Sequence, residues 1–321
     1  MRVKGNLIIV CIMILTGLTP GSITGQVTVV EGTAISLTPQ QFVETYLAGE
    51  GITIMNALYN GSAEPLNSTN RTPLKYRDQI GSFESAGGAA TELGISGGVI
   101  LSTGYSGKAV AGQNPNDDMQ QNNQPEESDP DLVILAGGTA QINDKSVLEF
   151  DFIPQTDYVT FRYVFGSIEF DGFCASINDA FGLFLSGPGI SGGLGFVNDA
   201  VNIALLPNST NYVNIFNICA VDQGNLGQGV YSWWNAKEDY YSYNRLTYVF
   251  TATYPVQCNQ TYHMKFAIGD ASDGILDSGV FLEENSFTSN NITGNTSFSN
   301  PYTGQLLIEG CNNVDISYSI P

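Results

Sequence analysis

Alternating apolar and polar residues predict β-strands over much of the chain. In SVLEFDFIP, the side chains of Leu148, Phe150 and Phe152 point to one face of a strand, and Glu149 and Asp151 point to the other. The run YVTFRYVF alternates in the same way. Further short runs end at Gly, Pro or Asn: AFGLFLSG, VNIALLP, LTYVFTATY and TYHMKFAI. Many short strands with little helix indicate an all-β fold, which we expect to be a jelly-roll-like β-sandwich.

One short α-helix is predicted near the N terminus, in LTPQQFVETYLAGEG. Thr38 has the side chain of a helix N-cap, and Pro39 suits the first helical position. Gln41 can complete a capping box with Thr38. Gly49 and Gly51 are expected to end the helix.

The first 25 residues have the pattern of a secretory signal peptide. Arg2 and Lys4 precede an apolar run from Leu7 to Leu18. That run is ~12 residues long, whereas a membrane-spanning helix needs ~20. A membrane anchor is the alternative interpretation. We expect cleavage near Gly25, a mature chain without a membrane span, and a secreted or outer-cell-surface protein.

The remaining chain divides at a polar segment. We predict one β-sandwich domain at 27–287 and a Ser/Thr/Asn-rich linker at 288–304. The residues 305–321 are expected to begin a further β module or to add a strand to the first domain. Because that last segment is too short to form a core, we expect the chain to be part of a longer multidomain protein.

Acidic residues strongly outnumber basic ones. The chain has 31 Asp and Glu against 11 Lys and Arg, with a net charge of −20. Such a charge repels the phosphates of nucleic acid, so no nucleic-acid partner is expected. The same charge is compatible with cation binding and equally with solubility outside a cell.

Two acidic loops are candidates for a Ca²⁺ site. Several oxygen ligands in a loop with glycines are typical of Ca²⁺ binding, and GDASDGILDSGVFLEE lies between two strand-like runs. The alternative is an acidic turn whose Asp side chains accept hydrogen bonds from nearby backbone N–H groups. The predicted ligands are Asp270, Asp273 and Asp277 in the first loop, and Glu169, Asn178 and Asp179 in the second.

Other polar residues carry weaker signals. Asp129 and Asp131 in SDPDL are further acidic candidates, although they also suit a turn around Pro130. His263 is the only histidine, and the alternation of its strand predicts that it faces solvent beside Lys265. No nucleophile or phosphate-binding motif accompanies it.

An aromatic segment is a candidate ligand-binding surface. Aromatic rings beside amides and carboxylates are typical of sugar binding, so a glycan or a cell-surface partner is expected. The alternative is that these rings fill the core or cover the sandwich edge, because large aromatics bury much area. The candidate contacts are Trp233, Trp234, Tyr241 and Tyr243.

Four cysteines remain after the signal peptide, which suggests disulfides in an exported protein. Four cysteines allow three connectivities, and the spacing does not choose among them. The candidates are Cys174, Cys219, Cys258 and Cys311.

The chain resembles the choice-of-anchor L domain of secreted bacterial surface proteins over about residues 37 to 285. The resemblance rests on GSFESAGG, GISGGVILSTG, SDPDL, VLEFDFIP, TFRYVFGSIEF, INDAFGLFLSGPGI, NIALLP and CNQTYHMKFAIGDASDGILDSGVFLE. It implies an exported protein of a family that has no settled biochemical activity. Its recurring acids also support the Ca²⁺ hypothesis.

Together these observations predict a non-catalytic secreted or cell-surface module, stabilised by Ca²⁺, that serves in adhesion or in glycan or surface binding. One alternative is an architectural spacer domain of a larger surface protein. A second alternative is a carbohydrate-active hydrolase, because that chemistry needs only two suitably separated carboxyl groups.

Overall fold

A computed structural model describes residues 27–86, 92–109, 128–138, 141–169, 178–222, 234–235, 241–243, 245–272 and 274–289. These residues form two antiparallel sheets packed face to face, which confirms the predicted all-β sandwich. The predicted signal peptide and the segment 305–321 lie outside the described residues. The domain and linker boundaries stay predictions.

The larger sheet has eight strands within the described residues. They are β1 (Val27–Glu31), β3 (Ile80–Ser85), β4 (Gly97–Ser102), β6 (Tyr158–Ser167), β9 (Trp234–Asn235), β10 (Arg245–Thr247), β11 (Phe250–Pro255) and β13 (Ser278–Glu283). The order is β1-β3-β4-β13-β6-β10-β9, and β11 also pairs with β6.

The second sheet is formed by β2 (Ile52–Tyr59), β5 (Ile142–Pro154), β7 (Ala180–Ser186), β8 (Val201–Asn202) and β12 (Tyr262–Ala271). Its order is β2-β5-β12-β7-β8, so β12 is the central strand. Both neighbours of β12 are antiparallel to it.

The main core lies between the two sheets, as the alternation predicts. Leu148, Phe150 and Phe152 of β5 are fully buried there, together with Phe161 of β6. Phe287 also packs in this core, with its ring 5.0 Å from that of Phe152. The chain directly after β13 therefore contributes to the packing of the sandwich.

Each sheet also has a second apolar cluster on its outer face. On the larger sheet, Phe83 and Phe281 pack with Tyr241 and Tyr243. On the second sheet, a cluster of residues packs over β12 and β7: Leu132, Leu135, Ile142, Val147, Phe184, Phe196 and Ala267. Because these outer faces are covered, positions that alternation assigns to solvent are buried.

The predicted N-terminal helix is present as α1 (Pro39–Tyr46). Gln41 N donates to the Thr38 hydroxyl at 3.3 Å, and Thr38 N donates to Gln41 Oε1 at 3.1 Å, which completes the capping box. Two helices that the sequence pattern did not predict are α2 (Pro130–Leu135) and α3 (Ile215–Asp222). The first is very short, and the second is apolar on most sides, so neither has a clear amphipathic period.

Short 3₁₀ turns connect several elements: Gly32–Ala34, Leu74–Arg77, Ser106–Ala109 and Val197–Asp199. Within the described parts of the chain, we find no helix whose length and hydrophobicity would let it cross a membrane.

Candidate functional site

Four aspartates lie at one end of the sandwich, and we call them the acidic cluster: Asp144, Asp179, Asp270 and Asp277. The strand register explains the grouping. Asp270 of β12 is paired with Asn143 of β5, and the preceding Gly269 is paired with Ala180, the residue after Asp179. Asp277 precedes β13 in the facing sheet. The ends of four strands, β5, β7, β12 and β13, therefore bring these carboxylates together.

Asp270 is the most unusual member of the acidic cluster. Its side chain is completely buried, and neither carboxylate oxygen receives a hydrogen bond with acceptable geometry. Burial raises the pKa of Asp270 well above its ordinary value, and the charges of Asp179, Asp277 and Asp144 raise it further. The Thr103 hydroxyl lowers the pKa of Asp270. However, Thr103 Oγ1 donates a hydrogen bond to Ser278 O and accepts one from Ser278 N. Asp270 is therefore a buried carboxyl group whose two oxygens have no hydrogen-bond partner among the described residues.

The other members of the acidic cluster do have polar partners. Asp179 accepts hydrogen bonds from Ala271 N at 3.3 Å and from the Ser278 hydroxyl at 2.6 Å. Asp144 forms an ion pair with Lys75, with Nζ and Oδ1 2.5 Å apart. These contacts fix Asp179 and Asp144 beside Asp270, and among the described residues Lys75 supplies a cation to Asp144.

Asp277 lies tightly against the backbone of Gly104. A Cβ atom at position 104 would lie 2.0 Å from Asp277 Oδ2, so any larger residue there would displace the Asp277 carboxylate. Asp277 also borders a small cavity of about 10 Å³, together with Ser102, Ile168 and Tyr243. That volume corresponds to about one water molecule. The space beside Asp277 can thus hold one small polar species.

The structure brings together three of the six predicted metal ligands: Asp270, Asp277 and Asp179. Glu169 is buried just after β6, whose last residue, Ser167, is paired with Ser278. Asn178 Oδ1 accepts a hydrogen bond from Phe216 N at 3.0 Å and so helps to cap α3. Asp273 lies outside the described residues.

Asp144 and Lys75 were missed by sequence reasoning. Neither belongs to an acidic run, and the register of β5 beside β12 is what places Asp144 near Asp270. In the structure Asp144 has a φ of 50°, a conformation that Asp and Asn tolerate better than most residues. Among the described residues, no three His, Cys, Asp or Glu side chains converge as a formed metal site.

A second buried group of charges, which we call the Lys265 triad, consists of Lys265, Asp129 and Asp131. Lys265 Nζ donates to Asp129 at 2.8 and 3.0 Å and to Asp131 Oδ2 at 2.6 Å. Asp129 is also the N-cap of α2, because its Oδ1 accepts from Asp131 N and Leu132 N. The acids of SDPDL therefore begin a helix and bind a buried lysine.

The predicted solvent exposure of Lys265 is wrong, and that of His263 is only partly right. Lys265 is 8% exposed because α2 and Phe184 cover the outer face of the second sheet. The side chain of His263 retains 33% exposure and lies 2.9 Å from Asp151 and 3.4 Å from Glu149. Hydrogen bonding to Glu149 raises the pKa of His263, Asp151 adds to this, and partial burial opposes it.

Two of the predicted ligand-binding aromatics are core residues in the structure. Tyr241 and Tyr243 are buried against Phe281, and their hydroxyls lie 3.1 Å from the Ser85 hydroxyl and 3.2 Å from the Ser102 hydroxyl. Burial raises the pKa of Tyr241 to about 12. Neither ring has an exposed face on which a sugar could stack. Tyr241 and Tyr243 therefore match the alternative interpretation, in which the aromatic rings fill the core.

The remaining candidates lie wholly or partly outside the described residues. The backbone of Trp234 belongs to β9, and Trp233 is not described. Cys219 is buried in the main core and Cys258 lies in the turn after β11, whereas Cys174 and Cys311 are not described. The disulfides stay a prediction.

A shallow surface pocket of about 730 Å³ lies between β11 and the loop that follows β8. Its lining offers hydroxyl, amide and aliphatic groups, without a charged or aromatic side chain: Ile203, Leu205, Leu206, Pro207, Asn208, Ser209, Thr210, Asn211, Thr251, Ala252 and Thr253. The acidic cluster is thus separate from this open concavity.

The family model of the choice-of-anchor L domain matches residues 29–288, which is most of the chain. The chain therefore belongs to the choice-of-anchor L family, as its motifs predict. This family is a non-enzymatic, surface-associated type of domain, and membership indicates an extracellular or cell-surface location. Comparisons with curated proteins and with solved structures gave no match.

Proposed function

We propose that this member of the choice-of-anchor L family is a non-catalytic module of a secreted or cell-surface protein, and that its acidic cluster binds Ca²⁺. The observation that carries the proposal is the state of Asp270. Its carboxylate is fully buried without a hydrogen bond, and Asp179, Asp277 and Asp144 surround it with negative charge. Asp144 is already paired with Lys75, and a bound divalent cation would offset most of the remaining negative charge.

Calcium suits the chemistry of this end of the sandwich better than a softer metal. Ca²⁺ takes six to eight oxygen ligands, including carboxylates, carbonyls and water. The described residues supply carboxylates at Asp179, Asp270 and Asp277, and hydroxyls at Thr103 and Ser278. Asp273 would add a carboxylate from the loop between β12 and β13. Extracellular calcium modules bind at roughly 10⁻⁴–10⁻³ M, which matches millimolar calcium outside cells.

Urea unfolding with and without calcium tests this proposal. At about 10 mM Ca²⁺ and a Kd in the extracellular range, the free energy of unfolding should rise by about 1.4–2.7 kcal/mol. Asp270→Asn should abolish the increase, because the amide removes the central charge. Asp157→Asn changes the same charge at an exposed position and should retain the increase. An unchanged free energy of unfolding in the wild type would overturn the calcium proposal.

The role of the module is proposed to be adhesion, through a glycan or another cell-surface partner. The open pocket beside β11 offers amide and hydroxyl groups that can bind sugar hydroxyls. Specific signals on a glycan array, reduced by Asn211→Ala in the pocket or by Trp234→Ala at the edge of the larger sheet, would support this role.

The architectural spacer remains the second candidate function, and the burial of Tyr241 and Tyr243 favours it, because it removes two of the four proposed sugar contacts. A folded protein that binds no glycan on the array would support the spacer.

The hydrolase has less support, because Asp270 and Asp179 are buried beyond the reach of a polysaccharide. Release of reducing sugar from polysaccharides, lost on one acid-to-amide change, would reverse that order.

A further inference from the structure

The Lys265 triad has the composition and contacts of a condensation site. One amine and two carboxyl groups meet beneath α2, and the lysine side chain and those of Asp129 and Asp131 are 10%, 10% and 2% exposed. Lys265 Nζ lies 5.1 Å from the Phe184 ring centroid, and Leu132 and Leu135 pack nearby. Apolar, water-poor surroundings penalise separated charges and favour neutral products.

We infer that Lys265 and Asp131 join through an isopeptide bond, with Asp129 as the acid–base group. Asp131 is assigned as the electrophile because Lys265 Nζ contacts only one of its oxygens, whereas it contacts both oxygens of Asp129. Oδ2 lies 2.6 Å from Lys265 Nζ, and Oδ1 accepts a hydrogen bond from Val197 N at 2.7 Å. That N–H is placed to stabilise negative charge on Oδ1 during attack at Cγ.

Asp129 is placed to transfer protons from the same amine. Its oxygens lie 2.8 and 3.0 Å from Lys265 Nζ, within the reach that general acid–base catalysis needs. The N-terminal N–H groups of α2 hold the Asp129 carboxyl in place. The nucleophile, the electrophile and the proton carrier are therefore already in contact, which removes the entropic cost of bringing them together.

The reaction balances without an oxidant or a cofactor. The lysine ammonium passes one proton to Asp129 and becomes a neutral amine. The lone pair of this amine forms a bond to Cγ of Asp131 while the carbonyl electrons move to Oδ1. The intermediate then collapses, the Cγ–Oδ2 bond breaks, and Oδ2 leaves as water with two protons that came from the ammonium. One ammonium and one carboxylate become one amide and one water molecule.

The bond would tie α2 to the central strand of the second sheet. It would link residues 134 positions apart in the sequence and so close a long covalent loop. Closing such a loop restricts the unfolded chain and opposes unfolding. A covalent tie of this kind suits a domain that is exposed to proteases and to mechanical load outside the cell, and it does not depend on calcium binding.

Peptide mass spectrometry of the full chain tests the inference. The protein is denatured, reduced, alkylated and digested with trypsin. We expect no cleavage after Lys265 and a branched peptide whose mass is that of segments 109–145 and 246–321 minus one water. Fragmentation should place the branch at Asp131. Three linear peptides, 109–145, 246–265 and 266–321, would show a free Lys265 and overturn the inference. A branch at Asp129 would overturn the assignment of the electrophile.

Variants separate catalysis from accidental linkage. Lys265→Arg and Asp129→Asn should both yield only linear peptides, the first because it removes the nucleophile and the second because it removes the proton carrier. Asp157→Asn, at an exposed position, should give the wild-type branched peptide. Complete linkage in Asp129→Asn would contradict the acid–base role. Should either variant fail to fold, the wild-type digest still decides whether the bond forms.

Discussion

Strand β12 carries two buried polar groups whose charges differ in how completely they are paired. At Lys265, two carboxylates share one amine from the same chain, and every charge has a partner within 3.0 Å. At Asp270, the carboxylate oxygens have no hydrogen bond, and the neighbouring charges are mostly of the same sign. The Lys265 triad is therefore internally compensated, whereas Asp270 of the acidic cluster has no such partner among the described residues.

The difference shows how burial decides what an acidic residue can do. An ionised carboxylate in an apolar interior is costly unless it is paired and hydrogen-bonded. The Lys265 triad under α2 has this pairing, whereas Asp270 at the end of β12 does not. We therefore expect the acidic cluster, rather than the Lys265 triad, to respond to an ion or to pH.

The largest effect is expected from Lys265→Met, which removes the only amine of the Lys265 triad. Asp129 and Asp131 would then remain buried without a cation, which typically costs about 3–5 kcal/mol, and the inferred bond to Asp131 could not form. Urea unfolding at neutral pH measures the change. A loss below about 1 kcal/mol would show that the triad is not the compensated group described here.

Asp270→Asn should instead raise the free energy of unfolding when calcium is removed by a chelator. The amide relieves the repulsion from Asp179 and Asp277 and can donate hydrogen bonds to them, so we expect a gain of about 1–2 kcal/mol at neutral pH. Destabilisation by this variant in chelator would contradict the view that the charge of Asp270 is uncompensated.

The same variant should flatten the pH dependence of the metal-free protein. Because the pKa of Asp270 is raised in the folded state, the folded protein keeps a proton that the unfolded chain has released. Stability therefore falls as pH rises from the ordinary Asp value of 3.8 through the folded pKa. The difference between wild type and Asp270→Asn across that window isolates this group from other titrating acids.

The smallest effect is expected at His263, whose partners Glu149 and Asp151 are partly exposed. The pKa of His263 is raised, so its contribution is fully present below the unfolded value of 6.5 and is lost as pH rises through the folded value. His263→Gln should cost about 0.2–1 kcal/mol at pH 6 and almost nothing at pH 9. An equal loss at both pH values would indicate packing rather than charge.

Local patterns predicted the sandwich and α1 well. The alternation in SVLEFDFIP placed Leu148, Phe150 and Phe152 in the core, because side chains of a strand point to opposite faces regardless of the rest of the fold. The capping box of Thr38 and Gln41 likewise depends only on neighbouring residues.

The candidate site was predicted less completely. The acidic run gave Asp270 and Asp277, but Asp144 joins them only through the register of β5 beside β12. Asn178 has the right chemistry for a ligand, yet its oxygen caps α3. Such pairings join residues far apart in the chain, and no local pattern encodes them.

The sequence by itself determined which residues could form strands, the one clear helix, the family, and the excess of acid. Only the tertiary structure decided which charges are buried together. It placed α2 over Lys265, Tyr241 and Tyr243 against Phe281, and Asp270 among three other carboxylates. The physical reason is that strand periodicity is local, whereas the desolvation and pairing of a charge depend on every segment that packs over it.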